Sequence, residues 1–92
     1  MVEVEGKIAK KYVYILIEPG STPSYITPKI VDNCAFKKLK HRKSWLAQLA
    51  TRTMRKVSEI VDKLPLDMDG LFTYANLNIL ALGSYDILIG MD

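Results

Sequence analysis

The chain has 92 residues, of which 49% are apolar and 25% are charged, and it carries a net charge of +3 at neutral pH. That composition is typical of one small globular domain and excludes a disordered tail. The net charge is too small to indicate a nucleic-acid partner, and no apolar run approaches the roughly 18 residues of a membrane-spanning helix. The single cysteine, Cys34, excludes an internal disulfide and fits a reducing compartment. We therefore predict one cytoplasmic domain over residues 1–92, with no membrane partner.

The first third of the chain predicts two paired strands, a loop and a short helix. Val2 to Ile8 alternates between apolar and polar residues, and Tyr12 to Ile17 is a continuous aliphatic and aromatic run, so we predict a β-hairpin. Gly6 marks a bulge or a close approach of two backbones. Thr27-Pro28 is typical of a helix N-cap followed by the first helical residue, which predicts a helix over Pro28 to Asn33.

A basic run follows from Ala35 to Lys43, with Lys or Arg at five positions. A run of this density can contact phosphates, although solvated surface is the commoner explanation. We interpret the run as solvated surface. We also predict that His41, the one histidine of the chain, faces solvent and is neither a metal ligand nor a general base.

The interval from Trp45 to Leu64 contains apolar residues that recur every three or four positions. That spacing is the period of an amphipathic helix. Taken alone, it predicts a helix that ends before Pro65.

The last third predicts strands. Asp69-Gly70 is a strong hairpin signal between the segments Leu64 to Met68 and Leu71 to Leu80. Tyr85 to Ile89 is an apolar segment that ends at Gly90, and we predict a closing strand there.

Glu18 is the first candidate for a functional residue. It stands after the apolar run Tyr12 to Ile17 and before Pro19-Gly20, through which a strand does not continue. A carboxylate at the end of a buried strand is costly unless another group satisfies it. These residues alone leave two interpretations open: Glu18 begins a surface turn, or it is an active-site acid.

Three segments of the chain are similar to the motifs of one protein family. Ile15 to Thr22 (Ile-Leu-Ile-Glu-Pro-Gly-Ser-Thr) is similar to the family signature hydrophobic-hydrophobic-Asp-Ser/Thr-Gly-Ser/Ala-Thr. Tyr25 to Val31 is similar to the segment that follows the catalytic loop. Leu82 to Asp92 resembles the element Leu-Gly-hydrophobic-Tyr-Asp-hydrophobic-hydrophobic-Leu/Ile-Gly-Met-Asp, which is the most specific of the three. By these motifs the chain resembles the retropepsin-like aspartic proteases, and more narrowly the protease of gypsy-type LTR retrotransposons. The likeness covers nearly the whole chain in the order and spacing of the family.

The resemblance implies an all-β, acid-protease fold: a closed, barrel-like domain with one short helix. It implies that Glu18 occupies the position of the catalytic Asp. The active-site loop would continue through Pro19, Gly20, Ser21 and Thr22.

The resemblance also implies that Trp45 to Val61 is a flap, a β-hairpin that closes over substrate, and we adopt this interpretation over the helix. The flap tip would comprise Ala50, Thr51, Arg52 and Thr53. Arg52 stands where the family usually has Gly to supply a positive φ.

By the same resemblance, the domain works with a second copy of itself. Aspartic peptidases use two carboxylates about 3 Å apart that share one proton, and this chain supplies one such loop. The resemblance therefore implies a homodimer that binds an extended polypeptide substrate, with no cofactor, no metal and no role for nucleic acid. We interpret the other candidate acids as structural: Asp69, Asp86 and Asp92.

Three departures from the family pattern bear on activity. Glu18 replaces Asp, Pro19 replaces Ser or Thr, and the chain stops at Asp92, where the family continues, so we expect a C-terminally shortened relative. We predict an aspartic endopeptidase domain from a retroelement polyprotein with weakened or absent activity. The alternative is a non-catalytic module for peptide binding or dimerisation. A third hypothesis is a basic helical nucleic-acid binder that uses the run Ala35 to Lys43.

Overall fold

A computed structural model describes residues 2–19, 23–48, 52–68 and 70–91, which form one seven-stranded sheet and one helix. The strands are β1 (Val2–Ile8), β2 (Lys11–Pro19), β3 (Tyr25–Ile26), β4 (Leu39–Gln48), β5 (Met54–Met68), β6 (Leu71–Ile79) and β7 (Ile87–Met91), and the helix is α1 (Pro28–Cys34). The all-β prediction with one short helix is confirmed. Within the described ranges, no helix is long and apolar enough to cross a membrane.

The sheet curls into a ring of six strands, with β4 attached outside it. The strand order is β1-β2-β7-β3-β6-β5-β4, and a further pairing of β1 with β5 closes the ring. That closure consists of two residue pairs, Gly6 with Met68 and Lys7 with Asp67. The predicted barrel-like closure therefore takes the form of a ring with a short seam and not of a regular barrel.

Gly6 lies at this seam and confirms the predicted close approach of two backbones. A Cβ atom on Gly6 would lie 2.5 Å from the Ile15 Cδ1 atom and 2.8 Å from the backbone oxygen of Asp67. Both distances are well below van der Waals contact. The seam can therefore form because residue 6 has no side chain.

The core fills the inside of the ring. Its buried residues come from every strand of the ring and from α1, and they are Ile8, Val13, Ile15, Ile26, Val31, Val61, Leu64, Leu66, Leu77 and Ile87. Val13 and Ile15 of β2 are buried while Tyr12 and Tyr14 are exposed, which is the alternation expected of a strand with one face on the core. Val31 of α1 is fully buried and belongs to the core cluster, so the helix packs against the sheet.

The interval from Trp45 to Leu64 contains parts of the antiparallel strands β4 and β5. The helix prediction from its spacing is therefore wrong, and the β-hairpin that the resemblance implies is confirmed. Both strands extend beyond the implied limits, since β4 already begins at Leu39 and β5 continues to Met68. The register of β5 against β6 shifts between Val61 and Leu64, with Lys63 at φ 53°. Because of this bulge, the buried residues Val61 and Leu64 are three positions apart and not two, as in a regular strand. A spacing of three is also found along one face of a helix.

The β5–β6 turn agrees with the predicted hairpin. Gly70 has φ 83°, and its N–H donates to the Asp67 Oδ1 atom at 3.0 Å. Asp69 lies outside the described residues.

Candidate active site

Glu18 lies where β2 ends beside β7. The described β1 ladder ends with Ile17 opposite Val2, whereas the parallel β7 ladder continues with Glu18 opposite Gly90. The Glu18 side chain is half-buried. The structure thus holds a carboxylate at the end of the sheet, next to the segment that leaves β2.

Several of the predicted site residues are not described. Gly20, Ser21, Thr22, Ala50 and Thr51 lie outside the described residues. The backbone of Pro19 pairs with Met91 as the last residue of β2. The roles of these residues remain predictions.

Arg52 and Thr53 lie between β4 and β5. Arg52 has φ 66°, a left-handed conformation that the resemblance implies for this turn. For a residue with a Cβ atom this conformation costs about 1–2 kcal/mol. Arginine is therefore tolerated here at some cost in stability.

Ser24, in the segment that follows the candidate loop, forms hydrogen bonds with β6 and β7. Its Oγ atom accepts the Gly90 N–H at 3.0 Å, and Gly90 is the residue opposite Glu18. Its carbonyl oxygen accepts both the backbone N–H and the side-chain Nδ2 of Asn78, at 2.9 and 3.1 Å. Ser24 thus connects β6 to β7 at Gly90, the residue that pairs with Glu18.

Asn78 extends this connection to His41 on β4. Asn78 is 5% exposed, and its Oδ1 atom lies 2.6 Å from His41 Nε2. Because Nδ2 already donates to Ser24, the Oδ1 atom accepts, and the Nε2 atom of His41 carries the proton. His41 is half-buried, with its ring 4.9 Å from that of Trp45. The prediction that His41 faces solvent is therefore wrong, because its side chain is half-buried and bonded to Asn78. His41 lies within the register shift of β4 against β5, between Lys40 and Trp45.

Sequence reasoning missed Ser24 and Asn78. The available signal was an Asn between the apolar residues Leu77 and Ile79 of a predicted strand, because a buried amide needs hydrogen-bond partners. The identity of those partners was not visible, since Ser24 and Asn78 are 54 positions apart.

Replacing Asn78 by Ala is expected to lower the free energy of unfolding by about 1–3 kcal/mol, because it leaves the partly buried Ser24 carbonyl and His41 Nε2 with one partner fewer. Urea unfolding of the two proteins measures this difference. Asn76→Ala is the matched control, since the Asn76 side chain is exposed and accepts one bond, from the Lys63 N–H. Equal effects of the two substitutions would contradict the role of the buried network.

Asp86 is a structural carboxylate, as predicted. Its Oδ2 atom accepts the Tyr14 N–H at 2.8 Å, and its own N–H donates to the Tyr14 carbonyl at 3.1 Å. Its carbonyl accepts the Thr27 N–H at 2.9 Å. Asp86 therefore connects β2, at Tyr14, to the start of α1, at Thr27. Tyr14 lies four residues before Glu18 on β2. Asp69 and Asp92 lie outside the described residues.

The chemistry available at Glu18 is that of a carboxylic acid, which takes a proton from water or gives one to a leaving group. In the described parts of the chain, no three His, Cys, Asp or Glu side chains lie together in a way that could bind a metal ion. Acid-base chemistry by two carboxylates requires a second one beside Glu18. Asp86 is not that partner, because the Tyr14 backbone already occupies it.

A curled β-ring, a carboxylate at the end of β2 beside Gly90 of the parallel β7, and an antiparallel β4–β5 pair with β4 outside the ring define a domain with the retropepsin-like fold. A family model described as retroviral aspartyl protease matches residues 2–92, and the chain belongs to that family. A search of curated proteins found no match.

Among solved structures, the chain is similar to the crystal structure of the retroviral protease-like domain of Ddi1 from Leishmania major. The TM-score is 0.70 at 16% sequence identity, over 100% of this chain and 73% of that chain. At this identity, the likeness establishes the fold alone.

Proposed function

We propose that this chain is the protease-like domain of a gypsy-type retroelement polyprotein, and that it binds an extended polypeptide and hydrolyses it slowly. Glu18 takes the place of the catalytic Asp. The observation that carries the proposal is the half-buried Glu18 carboxylate opposite Gly90, in a domain that the family matches over residues 2–92.

Catalysis by this site needs a homodimer. Two carboxylates about 3 Å apart cannot both ionise, so one stays protonated while the other takes a proton from the attacking water. A two-fold axis between two copies of the β2 end brings the two Glu18 side chains together. The substrate then lies as an extended strand across the interface, beneath the β4–β5 hairpins.

Two residues make hydrolysis slow. Glu18 is one methylene longer than Asp, and a misplacement of about 1 Å in an active site costs on the order of 100-fold in rate. Pro19 has neither a hydroxyl group nor a backbone N–H with which to brace the loop. The same two residues favour the second candidate function, a module that binds peptides or dimerises without cleaving, because both changes affect catalysis more than folding.

Cleavage of an unfolded protein from acid to neutral pH tests the proposal, with and without a statine-type inhibitor. We expect slow cleavage that the inhibitor stops and that Glu18→Gln abolishes, together with a dimer in analytical ultracentrifugation. Inhibitor binding without any cleavage would favour the binding module. Cleavage that persists in Glu18→Gln would contradict the assignment of Glu18.

A further inference from the structure

The paired part of the β4–β5 hairpin, from Leu39 to Ile60, is more basic than the rest of the protein. From Leu39 to Ile60 there are six Lys or Arg residues and one Glu, so the rest of the chain, whose total charge is +3, has a net charge of −2. All six cations are exposed: Lys40, Arg42, Lys43, Arg52, Arg55 and Lys56. Peptide hydrolysis by itself does not require this asymmetry.

The register of the hairpin separates its side chains into two faces. Residues directly opposite one another in an antiparallel pair share a face, and so do residues two apart on a strand. One face, called the inner face here, consists of the pairs Trp45–Val57 and Ala47–Arg55. The outer face consists of the pairs Leu46–Lys56 and Gln48–Met54. Arg55 and Lys56 are thus neighbours in sequence but lie on opposite faces.

The inner face packs on the part of the sheet that holds Glu18. Val57, Trp45 and Ala47 belong to a cluster with Tyr25 of β3 and Leu88 of β7. Leu88 pairs with Leu16, and the next pair on the same face of the ladder is Gly90 with Glu18. Arg55 lies two residues from the buried Val57, in the next pair on the same face, and is exposed. It is the cation of the two pairs that define the inner face, next to residues that pack against the sheet.

Arg55 has its guanidinium group available for a ligand. The ion pair that the described residues form joins Lys38 to Asp32 and does not involve Arg55. Glu59, the one acid between Leu39 and Ile60, lies opposite Lys40. A guanidinium group binds a carboxylate through two parallel hydrogen bonds, whereas an ammonium group acts as a point charge.

We propose that Arg55 is a specificity-determining residue that selects an acidic side chain in the extended peptide bound beneath the β4–β5 hairpin. This inference rests on the function proposed above. Arg55 supplies the paired contact to the carboxylate, and the other five exposed cations attract an acidic peptide over a longer range.

Fluorescence anisotropy with statine-containing octapeptides tests the inference, because binding is then measured whether or not the site cleaves. The peptides are identical except that each position flanking the statine is in turn Glu, Gln or Lys. At one or more positions we expect the Glu peptide to bind about 10-fold more tightly than the Gln peptide, as for a hydrogen bond to a charged group. Arg55→Gln should remove this preference, and Arg55→Glu should reverse it in favour of Lys.

Lys56→Gln is the matched control, since it removes the same charge from the outer face. It should lower the ratio of Glu to Gln affinities only slightly, because Lys56 contributes long-range attraction and no paired contact. If Lys56→Gln reduces the ratio as much as Arg55→Gln does, the preference comes from net charge and the inference is wrong. Tighter binding of a single-stranded oligonucleotide, weakened equally by both substitutions, would also overturn it in favour of a nucleic-acid surface.

Failure of the inference differs from failure of the proposed function. If all statine peptides bind equally well whatever their charge, peptide binding stands and the role of Arg55 is refuted. If no statine peptide binds at all, the proposed function is refuted and the role of Arg55 with it.

Discussion

The double variant Glu18→Asp/Pro19→Ser is expected to cleave an unfolded protein at least about 100-fold faster than the unmodified chain. The shorter side chain restores the geometry in which two carboxylates share one proton, and misplacement of about 1 Å accounts for a factor of this size. Serine returns a hydroxyl group and a backbone N–H to the residue after the acid. Both changes act in each copy of a dimer.

Initial rates with a quenched fluorescent peptide, from acid to neutral pH, measure this gain. The variant Glu18→Asn/Pro19→Ser is the control, since asparagine has the shape of aspartate but cannot exchange the proton, and it should not cut. A statine-type inhibitor should stop the double variant. If the double variant remains as slow as the unmodified chain while the inhibitor still binds, Glu18 and Pro19 are not what limits hydrolysis.

Replacing Gly6 by Val is expected to be the most destabilising single substitution considered for this chain, at about 3 kcal/mol, and Gly6→Ala is expected to cost about 1–3 kcal/mol. The Ile15 Cδ1 atom, 2.5 Å from the added Cβ, is the end of a flexible side chain and can rotate away. The Asp67 carbonyl at 2.8 Å cannot, because Asp67 belongs to the β1–β5 seam. The seam that closes the ring must therefore open.

Urea unfolding monitored by circular dichroism measures this cost. Glu5→Val is the matched control: residue 5 is the exposed neighbour in β1, where a β-branched side chain favours the strand. In a strand interior without a close neighbour, Gly→Ala would instead stabilise by about 0.5–1 kcal/mol. A stabilised Gly6→Ala protein would therefore show that the seam is absent in solution.

The sequence by itself determined the elements whose causes are local. The alternation of Val2 to Ile8, the Thr27-Pro28 helix start and the turn at Gly70 each depend on residues a few positions apart, and all three appear as predicted. Glu18 was also identifiable locally, because an acid that ends an apolar run is conspicuous whatever surrounds it. Its catalytic role remains a prediction.

Only the tertiary structure decided the features that depend on distant residues. The bulge between Val61 and Leu64 gives a strand the spacing of a helix, and it is stabilised by a bond from Lys63 to Asn76 on another strand. Likewise, His41 is half-buried within the basic run because it donates a hydrogen bond to the buried amide of Asn78, 37 positions away. Periodicity records which residues are buried but not which partners bury them. The pairing of β strands supplies those partners. Here it determines both the closure of the ring between β1 and β5 and the bond from Gly90, the residue opposite Glu18, to Ser24.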